Sequence, residues 1–390
     1  MKQDTNRFFA PCPRGLETVL NQELTQLGAQ DIKQTDGGVS FAGSFSLCYR
    51  INLESRIASR VLWQVAHGTY QSEEDVYKSV FSLPWNEWFD VDRTIMVKVS
   101  AQRCPLRSLD FVTLKIKDAV CDKFRENSEG KRPSVNTVDP DIRIHAFLDA
   151  THFTLYLDTS GQALFKRGLR QVAGEAPIRE NLAAGIIMLS GWKPGVPFLD
   201  PMCGSGTFLM EAAQMALNIS PGLGRSFAFE KMKNFDAPAW AAMRQESEAK
   251  QLPRTLQPIY GSDLFGEMLD LAKENIEAAG LSEVINLKQA NVVETSPPAK
   301  EGVLVTNPPY GIRLDEQERL AEFYPRLGDA LKQKFAGWNA YIFTADLRLP
   351  NLIRLTTSRR TPLFNGALEC RLFEYKVVAG GMRREKPENN

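Results

Sequence analysis

The 390-residue sequence holds no apolar run approaching the roughly 18 residues that a membrane-spanning helix needs. Its start, Met1-Lys2-Gln3-Asp4, lacks the apolar core of a signal peptide, so the expected location is the cytoplasm, with no membrane partner. Cysteine is sparse: six residues, at 12, 48, 104, 121, 203 and 370, none in a C-x-x-C pair. That spacing argues against a disulfide framework or a thiolate zinc site and predicts reduced, mostly buried thiols. Histidine is scarcer still. His67, His145 and His152 form no ligand pattern, each is expected to be structural, and no metal is expected. Net charge is missing too, because 47 basic residues balance 47 acidic ones. Taken alone, that neutrality argues against a nucleic-acid ligand, and no helix-turn-helix or zinc finger is evident.

The length allows two or three domains with ample core, and three motifs stand out in it. Val303-Leu304-Val305 runs directly into Asn307-Pro308-Pro309-Tyr310. Two prolines forbid helix and remove two N–H donors, which lets neighbouring carbonyls face a ligand. An amide before them and an aromatic plane after them suit an exocyclic amine, accepting its two N–H bonds and covering its ring. The alternative is a Pro-Pro turn with an Asn cap. Upstream, Val196-Pro197-Phe198-Leu199 ends at Asp200-Pro201-Met202-Cys203-Gly204-Ser205-Gly206-Thr207, ahead of a helical run over 208–217. Strand, glycine turn and helix in that order make a nucleotide-type site, because Gly204 and Gly206 let backbone approach a ligand. The lysine of a P-loop is absent. The third motif, Ile259-Tyr260-Gly261-Ser262-Asp263, is a strand closing on an acid, a common partner for ribose hydroxyls in doubly wound sheets. About 60 residues separate Gly206 from Asp263, against about 20 in the dinucleotide fingerprint, so 218–257 is expected to be an insertion or extra helices.

Strands at 198–200, 259–263, 284–288, 303–306 and 340–344 alternate with helices at 207–217, 267–279 and 317–335. Such alternation predicts a parallel sheet covered by helices on both faces. Two last strands, 361–364 and 369–377, meet at Asn365-Gly366, which predicts an antiparallel hairpin. Residues 8–62 read as a small α+β unit, and further strands and a helix over 112–125 follow.

In this order the motifs resemble class I S-adenosylmethionine-dependent methyltransferases of the amino-group type. The N-terminal half adds Phe9-Ala10-Pro11-Cys12-Pro13-Arg14-Gly15-Leu16-Glu17, Gly37-Gly38-Val39-Ser40-Phe41, Arg56-Ile57-Ala58-Ser59-Arg60, Leu114-Lys115-Ile116-Lys117-Asp118-Ala119-Val120 and Pro140-Asp141-Ile142-Arg143. With these, nearly the whole chain resembles the bacterial THUMP-domain 23S rRNA guanine-N2 methyltransferases, in a form with a single methyltransferase domain. The resemblance implies an α/β fold: a Rossmann-like, doubly wound, mostly parallel sheet with a terminal antiparallel hairpin, preceded by α+β ferredoxin-like and THUMP domains. The implied division is 1–62 ferredoxin-like, 63–163 THUMP, 164–176 linker, 177–382 methyltransferase and 383–390 disordered tail.

The implied cofactor is S-adenosylmethionine, with S-adenosylhomocysteine as product and no metal. Cys203, Gly204, Ser205, Gly206 and Thr207 would form its loop, Asp200 would sit near the methionyl amine, Asp263 would take the ribose hydroxyls, and Leu264 would also contact the cofactor. Asn291 is assigned to the adenine edge, its alternative being a turn Asn. Cys203 admits a thiolate-nucleophile reading, but inside a cofactor loop packing is the better assignment. Asn307, Pro308 and Tyr310 are the implied catalytic residues, Tyr310 stacking on an extruded base. The implied partner is RNA, 23S rRNA or a large-subunit precursor. It would be met by Lys115, Lys117 and Arg132 on one face, by Lys166, Arg167 and Arg170 on another, and by Arg313, which alternatively pairs with Asp315. Open alternatives are a tRNA guanine-N2 methyltransferase, an adenine-N6 methyltransferase on DNA or RNA, and a non-catalytic RNA-binding assembly factor. Oligomeric state is not fixed by the sequence.

Overall fold

The computed structural model describes residues 5–168, 178–309 and 314–378. Two units emerge. One comprises Met1–Cys12, Glu17–Arg167 and Ser220–Ala249; the other comprises Pro13–Leu16, Gly168–Ile219 and Lys250–Asn390.

The first unit contains strands β1 (Asn6–Pro11), β2 (Gln30–Thr35), β3 (Gly38–Gly43), β4 (Leu62–Thr69), β5 (Ile95–Ala101), β6 (Ile142–Leu148) and β7 (His152–Asp158). Its helices up to residue 127 are α1 (Glu17–Gln26), α2 (Phe45–Glu54), α3 (Glu73–Phe81), α4 (Trp85–Trp88) and α5 (Leu109–Asn127). All seven strands form one sheet in the order β2-β3-β1-β4-β7-β6-β5. The β1-α1-β2-β3-α2-β4 succession is the split βαβ arrangement of ferredoxin-like folds. β4 then pairs antiparallel with β7 from Leu62↔Asp158 to Thr69↔His152, so the small α+β unit and the strands after it share one hydrogen-bonded ladder. The sequence-based division at residue 62 therefore falls inside a strand. α5 forms because Val112, Ile116, Ala119, Val120 and Phe124 recur at helical spacing and are all buried. Ser108 caps it, accepting from the Phe111 N–H at 3.2 Å.

The second unit contains β8 (Phe198–Asp200), β9 (Ile259–Asp263), β10 (Asn286–Gln289), β11 (Gly302–Thr306), β12 (Trp338–Thr344), β13 (Arg359–Asn365) and β14 (Leu368–Lys376). The helices from residue 180 on are α6 (Glu180–Leu189), α7 (Thr207–Ala216), α8 (Ala237–Ala249), α9 (Gly266–Ala278), α10 (Leu314–Lys334) and α11 (Leu349–Leu352), of which α8 belongs to the first unit. The sheet order is β10-β9-β8-β11-β12-β14-β13, with β14 antiparallel to both its neighbours. β11 is buried along its whole length, as a parallel strand covered on both faces must be. Asn365-Gly366 makes the expected hairpin, Gly366 taking φ +65°. α10 packs on this sheet through Leu320, Tyr324, Leu327 and Leu331.

Chain order and unit membership differ at two places. Leu16 is fully buried in the second unit, where a Cβ on Gly185 of α6 would lie 2.3 Å from its Cδ1. Segment Ser220–Ala249, expected inside the methyltransferase domain at 177–382, folds with the first unit instead. Its Phe229 and Trp240 rings sit 4.4 Å and 6.1 Å from the Tyr49 ring of α2. The Tyr49 hydroxyl accepts the Asp236 N–H at 3.0 Å and donates to the Asn234 carbonyl. Among the described residues, no helix is long and apolar enough to cross a membrane.

Candidate active site

Open α/β sheets bind ligands beyond the carboxyl ends of their strands, where neighbouring strands continue in opposite directions across the sheet. Here that point is β8, flanked by β9 and β11. Asp200 ends β8, Asp263 ends β9, and Thr306 ends β11 immediately before Asn307. Three short motifs far apart in the sequence thus converge at one sheet edge.

The loop after β8 is held by its own backbone and by neighbouring strands and helices. Cys203 N–H donates to the Ser262 carbonyl at 2.9 Å, and Gly206 N–H to the Cys203 carbonyl at 2.8 Å. Gly204 takes φ +49° and Gly206 φ +81°, conformations that glycine adopts without a Cβ penalty. Gly204 differs in what surrounds it. A Cβ there would meet nothing within 4 Å, whereas one on Gly206 would lie 3.5 Å from Ala272 of α9. The loop therefore packs against α9 at one glycine and opens to free space at the other, as a cradle for a bound molecule requires. α7 starts at Gly206 with no side-chain cap, so the positive end of its dipole faces the loop.

Two acids border this space. Asp263 Oδ2 accepts the Gly204 N–H at 3.0 Å and Oδ1 accepts the Phe265 N–H at 3.1 Å. Each carboxylate oxygen keeps a further lone pair, enough to accept two hydroxyls of a ribose. Asp200 is 2% exposed, and its Oδ1 accepts from Thr306 Oγ1 at 2.9 Å and from the Met202 N–H at 3.3 Å. Burial, with the nearby Asp263 charge, pushes its carboxyl up to about 7. Beyond Asp263, Leu264 and Phe265 expose half or more of their surfaces, an apolar pair suited to cover a flat ring. These groups fit an adenosine bearing a cationic side chain: hydroxyl acceptors, an apolar slot and a buried acid.

Asn307 supplies the sharpest feature. Its Oδ1 is buried and, among the described residues, has no hydrogen-bond partner, a costly state for an amide oxygen unless a ligand completes it. Pro308, next to it, is buried as well. Tyr310 and Arg313 lie outside the described residues, as do Arg170 and the tail from 383 to 390.

Other assigned residues stand differently. The Asn291 side chain is committed to its own turn, Oδ1 accepting the Val293 N–H at 3.2 Å and Nδ2 donating to Glu294 Oε1 at 2.9 Å. That is the turn alternative rather than an adenine contact. Burial first, then the two acids, raises the Cys203 thiol far above its ordinary range, so it is a packed thiol and no thiolate nucleophile. Arg167 is 7% exposed and donates Nη2 to the Arg56 carbonyl at 2.8 Å, which makes it a structural group of the first unit rather than a surface contact. Lys166 and Arg132 are exposed. Lys115 pairs with Glu74 at 3.2 Å and Lys117 with Asp118 at 2.6 Å, while Lys123 and Arg125 pair with Glu126 and Asp122. α5 therefore presents paired charges instead of one basic face.

Two site residues were missed from the sequence. Thr306 and Asn275 both hold the loop region, Asn275 donating Nδ2 to the Ser205 carbonyl at 3.2 Å. Neither a strand-end Thr nor a mid-helix Asn carries a sequence signal. Among the described residues, no group of three or more His, Cys, Asp or Glu is arranged to hold a metal ion.

Residues 167–374 match the family described as RMKL-like, methyltransferase domain; 70–158 match the THUMP domain and 7–62 the RlmL ferredoxin-like domain. Most of β4 lies between the last two. A Synechocystis sp. protein provisionally described as an RNA methyltransferase is 39% identical over 374 residues, 96% of this chain and 97% of that one. The ribosomal RNA large subunit methyltransferase K/L of Shewanella sp. (strain ANA-3) is 40% identical over 385 residues, covering 97% of this chain but 54% of the relative, so this chain spans about half of that protein's length. The solved structure of SMU.472, provisionally described as a methyltransferase and complexed with SAH, is 30% identical, covers 98% of this chain and all of that one, and has a TM-score of 0.88.

Proposed function

We propose, for this chain, which belongs to the RMKL-like family of S-adenosylmethionine-dependent methyltransferases, that the group methylated is the exocyclic N2 amine of a guanosine in large-subunit ribosomal RNA. The observation that carries the reading is the buried Asn307 Oδ1 just beyond the end of β11, which has no partner among the described residues. The Shewanella relative's name supports RNA of the large subunit, and the THUMP match supports an RNA substrate.

S-adenosylmethionine supplies a methyl group on a positively charged sulfur. Asp263 and the Gly204–Thr207 loop hold it, and Asp200 complements its positive charge. An exocyclic amine is a poor nucleophile because its lone pair is delocalised into the ring. Asn307 Oδ1 and the Pro308 carbonyl accept its two N–H groups, drawing the nitrogen toward tetrahedral geometry and aiming its lone pair. Both bonds strengthen as positive charge develops on nitrogen, which selects the transition state over the ground state. No base has to act before attack, since the nitrogen becomes acidic only once it is alkylated. A base inside paired RNA is out of reach, so the substrate base must be extruded, with Tyr310 as its stacking partner.

Domain limits of 1–62, 63–163 and 177–382 accompany this proposal, amended by the placement of 220–249 with the first unit. The test is mass-spectrometric mapping of methylated nucleosides in RNA from a strain lacking the protein. Loss of one N2-methylguanosine from large-subunit RNA is expected. Loss of an N6-methyladenosine, or of a mark in tRNA, would overturn the assignment.

A further inference from the structure

We propose that Thr306 is a positioning residue for the methyl donor: its hydroxyl favours the ionised Asp200 carboxylate and ties the strand that leads into the cofactor loop to the strand that leads into Asn307. The inference rests on the pocket reading above and goes further by assigning a residue that touches neither donor nor base.

The geometry has three parts. Thr306 Oγ1 donates to Asp200 Oδ1 at 2.9 Å, and both side chains are almost fully buried. They stand on neighbouring parallel strands, β8 and β11, paired through Val303↔Phe198 and Leu304↔Leu199. Thr306 is also the residue before Asn307, so the same bond spans the two halves of the site.

A buried acid with one short donor faces a choice. Without a cation nearby, burial favours the neutral acid; with a cation bound, the carboxylate is favoured. Among the described residues the charged group acting on Asp200 is Asp263 of β9, which opposes ionisation, while the Thr306 hydroxyl and the Met202 N–H assist it. The Cys203 thiol, on the same loop, stays neutral. Thr306 is thus the side chain that offsets the Asp263 charge. Valine at this position has the same shape but no donor.

The test is calorimetric titration of the full chain with S-adenosylmethionine and S-adenosylhomocysteine from pH 5.5 to 9. Parent affinity should rise with pH through about 7, the value to which the Asp200 carboxyl is pushed. Thr306→Val should bind about tenfold more weakly at pH 5.5, about fivefold more weakly near pH 7 and almost equally at pH 9, because a tenfold displacement of the acid's ionisation is felt in full only below the midpoint. Thr306→Ser keeps the hydroxyl and should follow the parent profile. A Thr306→Val loss equal at every pH, or no loss, would overturn the inference. Should valine impair folding, Thr306→Ala removes the same donor with a smaller side chain: a loss that fades as pH rises supports the inference, and a loss equal at every pH, or none, sinks it. A parent that binds neither ligand would sink the pocket reading itself, whereas binding with unaltered Thr306→Val sinks this inference alone.

Discussion

Asn275, fully buried on α9, donates its side-chain N–H to the Ser205 carbonyl at 3.2 Å and so anchors the glycine loop after β8 from a helix outside the motif. A loop that must present backbone to a ligand needs such an anchor, because glycines at 204 and 206 otherwise leave it free to sample other conformations.

Asn275→Ala should therefore weaken S-adenosylmethionine binding by about tenfold, the equivalent of one lost hydrogen bond of about 1–1.5 kcal/mol. Isothermal calorimetry measures this directly. Unaltered affinity would show that the loop needs no external anchor.

Asn307→Ala should leave cofactor affinity within about twofold of the parent and lower kcat by at least about a hundredfold, the usual scale for one preorganised group acting on developing charge. The parent Oδ1 is buried with no partner among the described residues. Its removal should not destabilise the cofactor-free fold, and the melting temperature should hold or rise. Parallel loss of binding and turnover would remove Asn307 from the chemistry.

The Asp200 carboxyl gives a pH signature in stability. Burial, reinforced by Asp263, raises it to about 7 in the folded protein, so at pH 4–7 the folded state binds more protons than the unfolded one. Stability then falls as pH rises through that window, by on the order of 4 kcal/mol. Thermal unfolding of cofactor-free protein should show this fall between about pH 4 and 7.5, and Asp200→Asn should flatten it. A parent that is no less stable at pH 8 would contradict the burial argument.

Much of the second unit is legible from the sequence. β8, the glycine loop and α7 announce themselves by an apolar run, two glycines and a helical spacing, and Asn365-Gly366 announces the hairpin. Those signals are local. What escapes is whatever depends on a distant partner. β4, Leu-Trp-Gln-Val-Ala-His-Gly-Thr, is half-buried, irregular between Gln64 and Ala66, and carries Gly68, so no clean alternation marks it as the strand that joins two ladders. Arg167 looks like a surface cation until the Arg56 carbonyl is placed beside it. Segment 218–257 is recognisable as an insertion, but its aromatic residues do not say which core they enter.

That core sets the last prediction. Tyr49 is 1% exposed, with Phe229 and Trp240 against its ring. Tyr49→Ala should cost about 3–5 kcal/mol, and Tyr49→Phe about 1 kcal/mol for the lost hydroxyl bonds to Asp236 and Asn234, both read from denaturant unfolding. A surface-like cost below about 0.5 kcal/mol for Tyr49→Ala would mean that 220–249 is not anchored there.

Because Ser220–Ala249 completes the first unit and Pro13–Leu16 completes the second, no single cut yields two whole halves. A ribosome making this chain has released the entire seven-stranded ladder of the first unit well before Phe229 and Trp240 emerge to cover Tyr49, and Leu16 waits a similar length of chain for Gly185. Nascent intermediates therefore carry an uncovered aromatic face while the chain between Tyr49 and Phe229 is made, a natural target for chaperones and a reason for slow, late consolidation. Dissection by truncation would reproduce that unfinished state, so independent study of either half calls for rejoining the chain at the crossings rather than trimming an end.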